Sequence, residues 1–184
     1  MTPVDPRAQE AENLARVGAL DGLRKIPSIL RRLQNGGWQK NQMSLFEWTD
    51  TSEEDWTLEQ KVTAQLEILG ASLDAHPLEL VSEKIIAAGA ISTLGAAERI
   101  GRRVTVAGVQ QTSHRSRTAK GDSMMFLTLE DLNGTLDAIL FPEVYRVAKS
   151  LIDSTKALLI TGVMEMDPER GEPFLRAEKV VLVR

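Results

Sequence analysis

The chain has 184 residues, a formal net charge of −4, 42% hydrophobic residues and no cysteine, enough for one domain of ordinary size plus a smaller unit. The cysteine count excludes a disulfide framework, a thiolate metal site and a thiol nucleophile, and two histidines do not build a zinc centre unaided. No signal-like segment opens the sequence and no apolar run approaches membrane-spanning length, so the expectation is a cytoplasmic protein with no membrane partner and no cofactor.

Residues 1–35 read as a small helical segment. Ala8, Ala11, Leu14 and Ala15 fall at helical spacing between Arg7 and Val17, ahead of Gly18. A second helix spans Ile26 to Leu33, with Pro27 in its first turn. Residues 36–57 read as a linker that opens on Gly36-Gly37 and is mostly polar. Within it Gln42-Met43-Ser44-Leu45-Phe46 is an apolar island. Leu45 and Phe46 either fold back onto this chain or dock on another protein, since each gains roughly 1.5–3 kcal/mol when buried.

Residues 58–99 read as a helical connector. Val62, Leu66 and Leu69 share one stripe that stops near Gly70, and Leu78, Val81, Ile85 and Ile86 form a second apolar face after His76-Pro77. The domain boundary is expected near residue 100.

From Arg102 the period changes to two. Arg103–Arg117 is a long strand with Val104 and Val106 in alternation. Met124–Phe141 is a hairpin in which Met125, Leu127, Leu129, Leu136, Ala138 and Leu140 face one way, while Met124, Phe126 and Thr128 face the other. Its turn, Asp131-Leu132-Asn133-Gly134, is expected to use the left-handed backbone that Asn-Gly tolerates. Pro142–Asp153 returns to helical spacing, with Val144, Val147, Ala148 and Leu151 on one face. Ala157–Met166 and Pro173–Leu182 complete five strands. Three strands, a helix and two strands specify an α+β chain whose residues 100–184 form a five-stranded Greek-key barrel of the oligonucleotide/oligosaccharide-binding (OB) fold.

Charge is uneven along the chain. Residues 1–99 hold 10 Lys+Arg against 15 Asp+Glu, and residues 100–184 hold 12 against 11. Arg102, Arg103, His114, Arg115, Arg117 and Lys120 precede the first acidic residue of the barrel, Asp122. Local field of this kind, rather than net charge, decides where a phosphate backbone lies.

Taken together, several motifs resemble the C-terminal part of the alpha subunit of bacterial DNA polymerase III. Leu69-Gly70 with His76-Pro77-Leu78 resembles that family's helix junction. Arg102–Gly108, Lys120-Gly121-Asp122, Leu127–Leu132, Gly134 and Phe141-Pro142 resemble its barrel, and Glu12-Asn13-Leu14 to Leu23 resembles the end of its tandem helix-hairpin-helix element. Gln42 to Phe46 matches the family's sliding-clamp motif, a glutamine, two variable residues and an apolar pair. The resemblance implies a non-enzymatic module, because the palm with its catalytic aspartates and the metal-binding phosphoesterase domain are not among these residues.

It also implies partners. Single-stranded DNA would cross the second and third strands, with Phe126 stacking on a base for roughly 1–3 kcal/mol, Thr128 beside it, Arg115, Arg117 and Lys120 on the loop after the first strand holding phosphates, and Arg103 and Arg176 as further contacts. The sliding clamp would take Gln42, Met43, Ser44, Leu45 and Phe46, and other replisome subunits are further candidate partners near the nucleoid. Two alternatives stay open at this point: a piece of a polymerase whose catalytic half is encoded elsewhere, or an OB module for RNA or protein. For Phe126 the plainer alternative is packing under the adjacent helix, and for the arginines a solvated rim.

Overall fold

A computed structural model describes residues 6–35, 38–39, 42–43, 54–152 and 156–183. They divide into two compact units, Met1–His76 and Pro77–Arg184, so the stretch 58–99 expected as one connector is shared between them.

In the first unit, α1 (Pro6–Arg16), α2 (Ile26–Gln34) and α3 (Leu58–Leu69) surround Ala11, Ala15, Ile26, Ile29 and Val62, all buried. Thr57 opens α3 with a capping box: its hydroxyl accepts from the Gln60 amide and the Gln60 side chain accepts from the Thr57 amide. Gly70 closes it at φ 72°. The buried stripe of α3 differs from the expected one. Leu69 is 49% exposed, while Gln65 is buried, its amide nitrogen donating to the Val17 carbonyl and Asp74 Oδ2 at 3.1 and 2.8 Å, its oxygen accepting from the Leu73 and Asp74 amides at 2.8 and 3.3 Å. A buried amide is stable only with such partners, and apolar periodicity carries no sign of them.

Asp55 anchors the start of α2. Its Oδ1 accepts from the Ile26 and Trp56 amides at 3.0 and 2.9 Å, and Lys61 lies 3.5 Å from Oδ2 while reaching Asp21 at 2.7 Å. Burial raises the Asp55 carboxyl, yet these amides and Lys61 together hold it below the ordinary value, and the hydrogen bond to Asp21 raises Lys61. Between α2 and α3, β1 (Trp38–Gln39) and β2 (Gln42–Met43) pair antiparallel, with Gln39 opposite Gln42 and Trp38 opposite Met43. Ser44, Leu45 and Phe46 of the expected clamp motif lie outside the described residues.

The second unit starts with a 3-10 turn at Glu79–Val81, α4 (Ser82–Ala87) and α5 (Thr93–Ala97). It continues as β3 (Arg103–Arg117), β4 (Ser123–Glu130), β5 (Thr135–Leu140), α6 (Pro142–Ile152), β6 (Leu158–Met166) and β7 (Pro173–Leu182). The strands close in the order β3-β4-β5-β7-β6, with only β5–β7 parallel. This is the OB fold expected from the order of elements. Its core contains Val104, Val106, Leu127, Leu129, Leu136, Ala138, Leu140, Ile160, Met164 and Leu175. Closure depends on Gly162, where a Cβ would fall on the Arg176 carbonyl oxygen and lie 2.9 Å from its carbon and 3.0 Å from Ala177 Cα. The β6–β7 register shifts at this point.

Two expectations are corrected here. On α6 the core-facing residues are Tyr145, Ala148 and Ile152, with Val144 and Leu151 flanking; Val147 is 75% exposed. The turn after β4 is held by a carboxylate and not by a left-handed glycine: Gly134 is absent from the positive-φ glycines. Asp131 Oδ1 accepts from the Asn133 and Gly134 amides at 2.8 and 3.0 Å, and the same side chain takes the Thr93 amide and hydroxyl at 2.7 and 2.8 Å. Burial works against its ionisation, but these four donors outweigh burial and hold Asp131 below the ordinary value. One side chain thus closes the hairpin and docks α5.

Candidate nucleic-acid interface

Directly opposed residues in a sheet share a face, so pairing register maps the outer wall of the barrel. One row runs His114, Phe126, Ile139, Arg176, Val163, Arg103 across β3, β4, β5, β7, β6 and back to β3. The next runs Thr112, Thr128, Asp137, Phe174, Glu165. Phe126 is 39% exposed, on the outside of the wall as expected. Phe174 is half-buried on the same wall, two strands or about 10 Å across from the Phe126 strand. The sequence reading missed it, although Phe174 precedes inward-facing Leu175 in the same alternation that singles out Phe126. His114 stands beside Phe126, ring centroids 6.5 Å apart and planes tilted by 32°.

The polar groups of this wall are largely engaged. Thr128 donates to Asp137 Oδ1 at 2.7 Å. Arg176 donates to Glu165 Oε1 at 2.6 Å, which raises its affinity for its proton further, and Arg103 meets Glu178 at 3.0 Å. Arg103 also lies four strands from Phe126, about 19 Å along the wall. The wall therefore offers apolar and hydrogen-bonding surface more than free positive charge.

Arg115 and Arg117 lie on the other face of β3. Val104 and Val106 point inward, so strict alternation would turn odd-numbered residues outward with Phe126. The β3–β4 register shifts between Gln110 and Thr112, and one extra residue there inverts every side chain that follows. Arg115 consequently pairs with inward-facing Met125 and Arg117 with Ser123, and the Arg115 guanidinium lies 5.8 Å from the centre of the Tyr145 ring on α6. Lys120 is exposed in the β3–β4 turn. The expected residues thus fall into two groups: Phe126, Thr128 and Arg176 on the outer wall, Arg115 and Arg117 toward α6.

A closed five-stranded barrel with its helix between the third and fourth strands is the OB architecture, and residues 104–183 match a family model described as an OB-fold nucleic acid binding domain. Among individual proteins, the chain is similar to DNA polymerase III subunit alpha. The protein of that name from Halalkalibacterium halodurans is 28% identical over 184 aligned residues, covering 92% of this chain and 16% of the relative. The one from Pseudomonas aeruginosa is 30% identical over 127, covering 68% and 11%. An error-prone DNA polymerase of Brucella abortus is 33% identical over 123, covering 66% and 11%. The chain spans between about a tenth and a sixth of the length of these curated relatives. Among the described residues no helix is long and apolar enough to cross a membrane.

Proposed function

We propose that this chain is a non-catalytic replication module that binds single-stranded DNA on the outer wall of β4, β5 and β7 and attaches to the sliding clamp through Gln42, Met43, Ser44, Leu45 and Phe46. The observation that carries the DNA part is the pair of outward aromatics, Phe126 and Phe174, on one wall of an OB barrel. Bases present π-faces whatever their identity, so two such platforms favour sequence-tolerant binding of unpaired strands. With Arg176 and Arg103 paired to carboxylates, affinity rests on stacking, and a weak DNA contact beside a weak clamp contact gains from effective concentration.

Fluorescence-anisotropy titration with a labelled single-stranded oligonucleotide, with duplex DNA and RNA as competitors, tests the DNA part. Preference for the single DNA strand supports it; preference for RNA, or no binding at any salt, refutes it. Clamp pull-down with Leu45→Ala/Phe46→Ala tests the tether, and undiminished capture refutes it.

A second reading is favoured by the small share of each relative that the chain covers: these residues act as the DNA-handling part of a longer polymerase. An antibody against the barrel separates the two in native cells, detecting a 20.3 kDa product in the first case and a much larger one in the second.

A further inference from the structure

A cavity of about 480 Å³ opens where the β3–β4 turn meets the start of α6, lined by Asp122, Ser123, Pro142, Glu143, Tyr145, Arg146 and Lys149. The lining holds two cations, Arg146 and Lys149, and two carboxylates, Asp122 and Glu143, while Arg115 lies over the neighbouring Tyr145 ring and Arg117 stands opposite Ser123. None of the six forms an ion pair among the described residues. Tyr145 is 5% exposed, and its buried hydroxyl has no hydrogen-bond partner. Buried hydroxyls are rarely left so, and an incoming acceptor would complete this one.

We propose that this cleft is a second contact for the same DNA strand: a phosphodiester that leaves the aromatic wall past the β3–β4 turn is held by Arg146 and Lys149, with Tyr145 supplying a hydrogen bond and Arg115 and Arg117 lining the approach. The proposal rests on the single-strand reading above and deepens it. It accounts for the division of the basic residues, since the wall supplies stacking and the cleft supplies charge. The bulge in β3 is what separates the two functions, because it turns Arg115 and Arg117 away from Phe126. Asp122 and Glu143 moderate the field, so the cleft attracts a phosphate without becoming a strong general anion site.

The test compares oligothymidylates of about 5 and about 15 nucleotides, short and long relative to the span of one OB barrel, by anisotropy over a salt series. Arg146→Ala/Lys149→Ala should leave the short strand unaffected, weaken the long one about 25-fold near 0.1 M salt and flatten its salt slope by about 1.4, two single-strand phosphate contacts. Tyr145→Phe should weaken the long strand about threefold with an unchanged or higher melting temperature, because no hydrogen bond within the protein is lost. Lys84→Ala on α4 removes one positive charge elsewhere in the unit and should match wild type. Wild-type affinity and slope in the double variant, or equal weakening of both lengths, overturns the cleft. Failure of the wild-type chain to bind either strand overturns the single-strand reading itself.

Discussion

Glu165→Gln should tighten DNA binding, although it breaks an ion pair. In the structure Arg176 stands in the row of Phe126 and donates to Glu165 at 2.6 Å, while Glu165 stands opposite Phe174. Both side chains are about two-fifths exposed, at 39% and 40%, so the pair is solvent-screened and contributes about 0–1 kcal/mol to stability. Glutamine keeps the shape and an acceptor oxygen but removes the charge that competes with a phosphate. One added phosphate contact on a single strand steepens the salt dependence by about 0.7, which near 0.1 M salt is about fivefold in affinity. Anisotropy titrations from about 0.05 to 0.3 M salt read both the midpoint and the slope, and circular dichroism melting confirms that the fold is retained. If affinity and slope match wild type, the strand does not pass Arg176, and the outer wall between β5 and β7 is not the site.

The remaining predictions concern the wall and its supports. Phe126→Ala should weaken single-strand binding about tenfold, by loss of one stacking platform, with little change in melting because the ring is partly exposed. Phe174→Ala should weaken binding similarly and also lower stability, since its ring is half-buried; wild-type affinity in both variants would remove stacking from the mechanism. Gly162→Ala should destabilise the barrel by about 3 kcal/mol or prevent its folding, because the added methyl meets the β7 backbone, which cannot give way as a side chain would; a normal urea midpoint would contradict this. Asp131 is held below its ordinary carboxyl value, so its contribution is present above the unfolded value and lost as pH falls through the lower folded one. Asp131→Ala should therefore cost about 2 kcal/mol near neutral pH, and its urea midpoint should fall less steeply with acid than that of wild type.

How far the sequence disclosed this molecule follows from which signals are local. The inward set of β4 and β5 is legible because a strand has period two and one side is apolar: Met125, Leu127, Leu129, Leu136, Ala138 and Leu140 all enter the core. The same rule finds Phe126 on the wall, and carried on to β7 it would have found Phe174 opposite Leu175. Gln65 was illegible and Asp131 half so: Asp131 accepts from its near neighbours Asn133 and Gly134, but the other partners are brought from elsewhere in the chain. For Gln65 these include Val17, 48 residues away, and for Asp131 they include Thr93, 38 residues away. Nothing within a few positions of either residue announces such partners.

The turning of Arg115 and Arg117 away from Phe126 has a sharper reason. Parity is conserved along a strand only while the ladder is regular, and β3 contains an irregularity between Gln110 and Thr112. No glycine or proline stands within Val109-Gln110-Gln111-Thr112, and from Gln110 to Arg117 there is no apolar residue to show which parity faces inward. A single inserted residue then exchanges the two faces for the rest of the strand. On the proposed single-strand reading its consequence is functional as well as geometric. With the arginines on Phe126's side, stacking and phosphate contacts would compete for one surface already holding Asp137 and Glu165. With them turned toward Tyr145, a strand meets aromatic surface on one side of the β3–β4 hairpin and positive charge on the other, and must wrap the hairpin to use both.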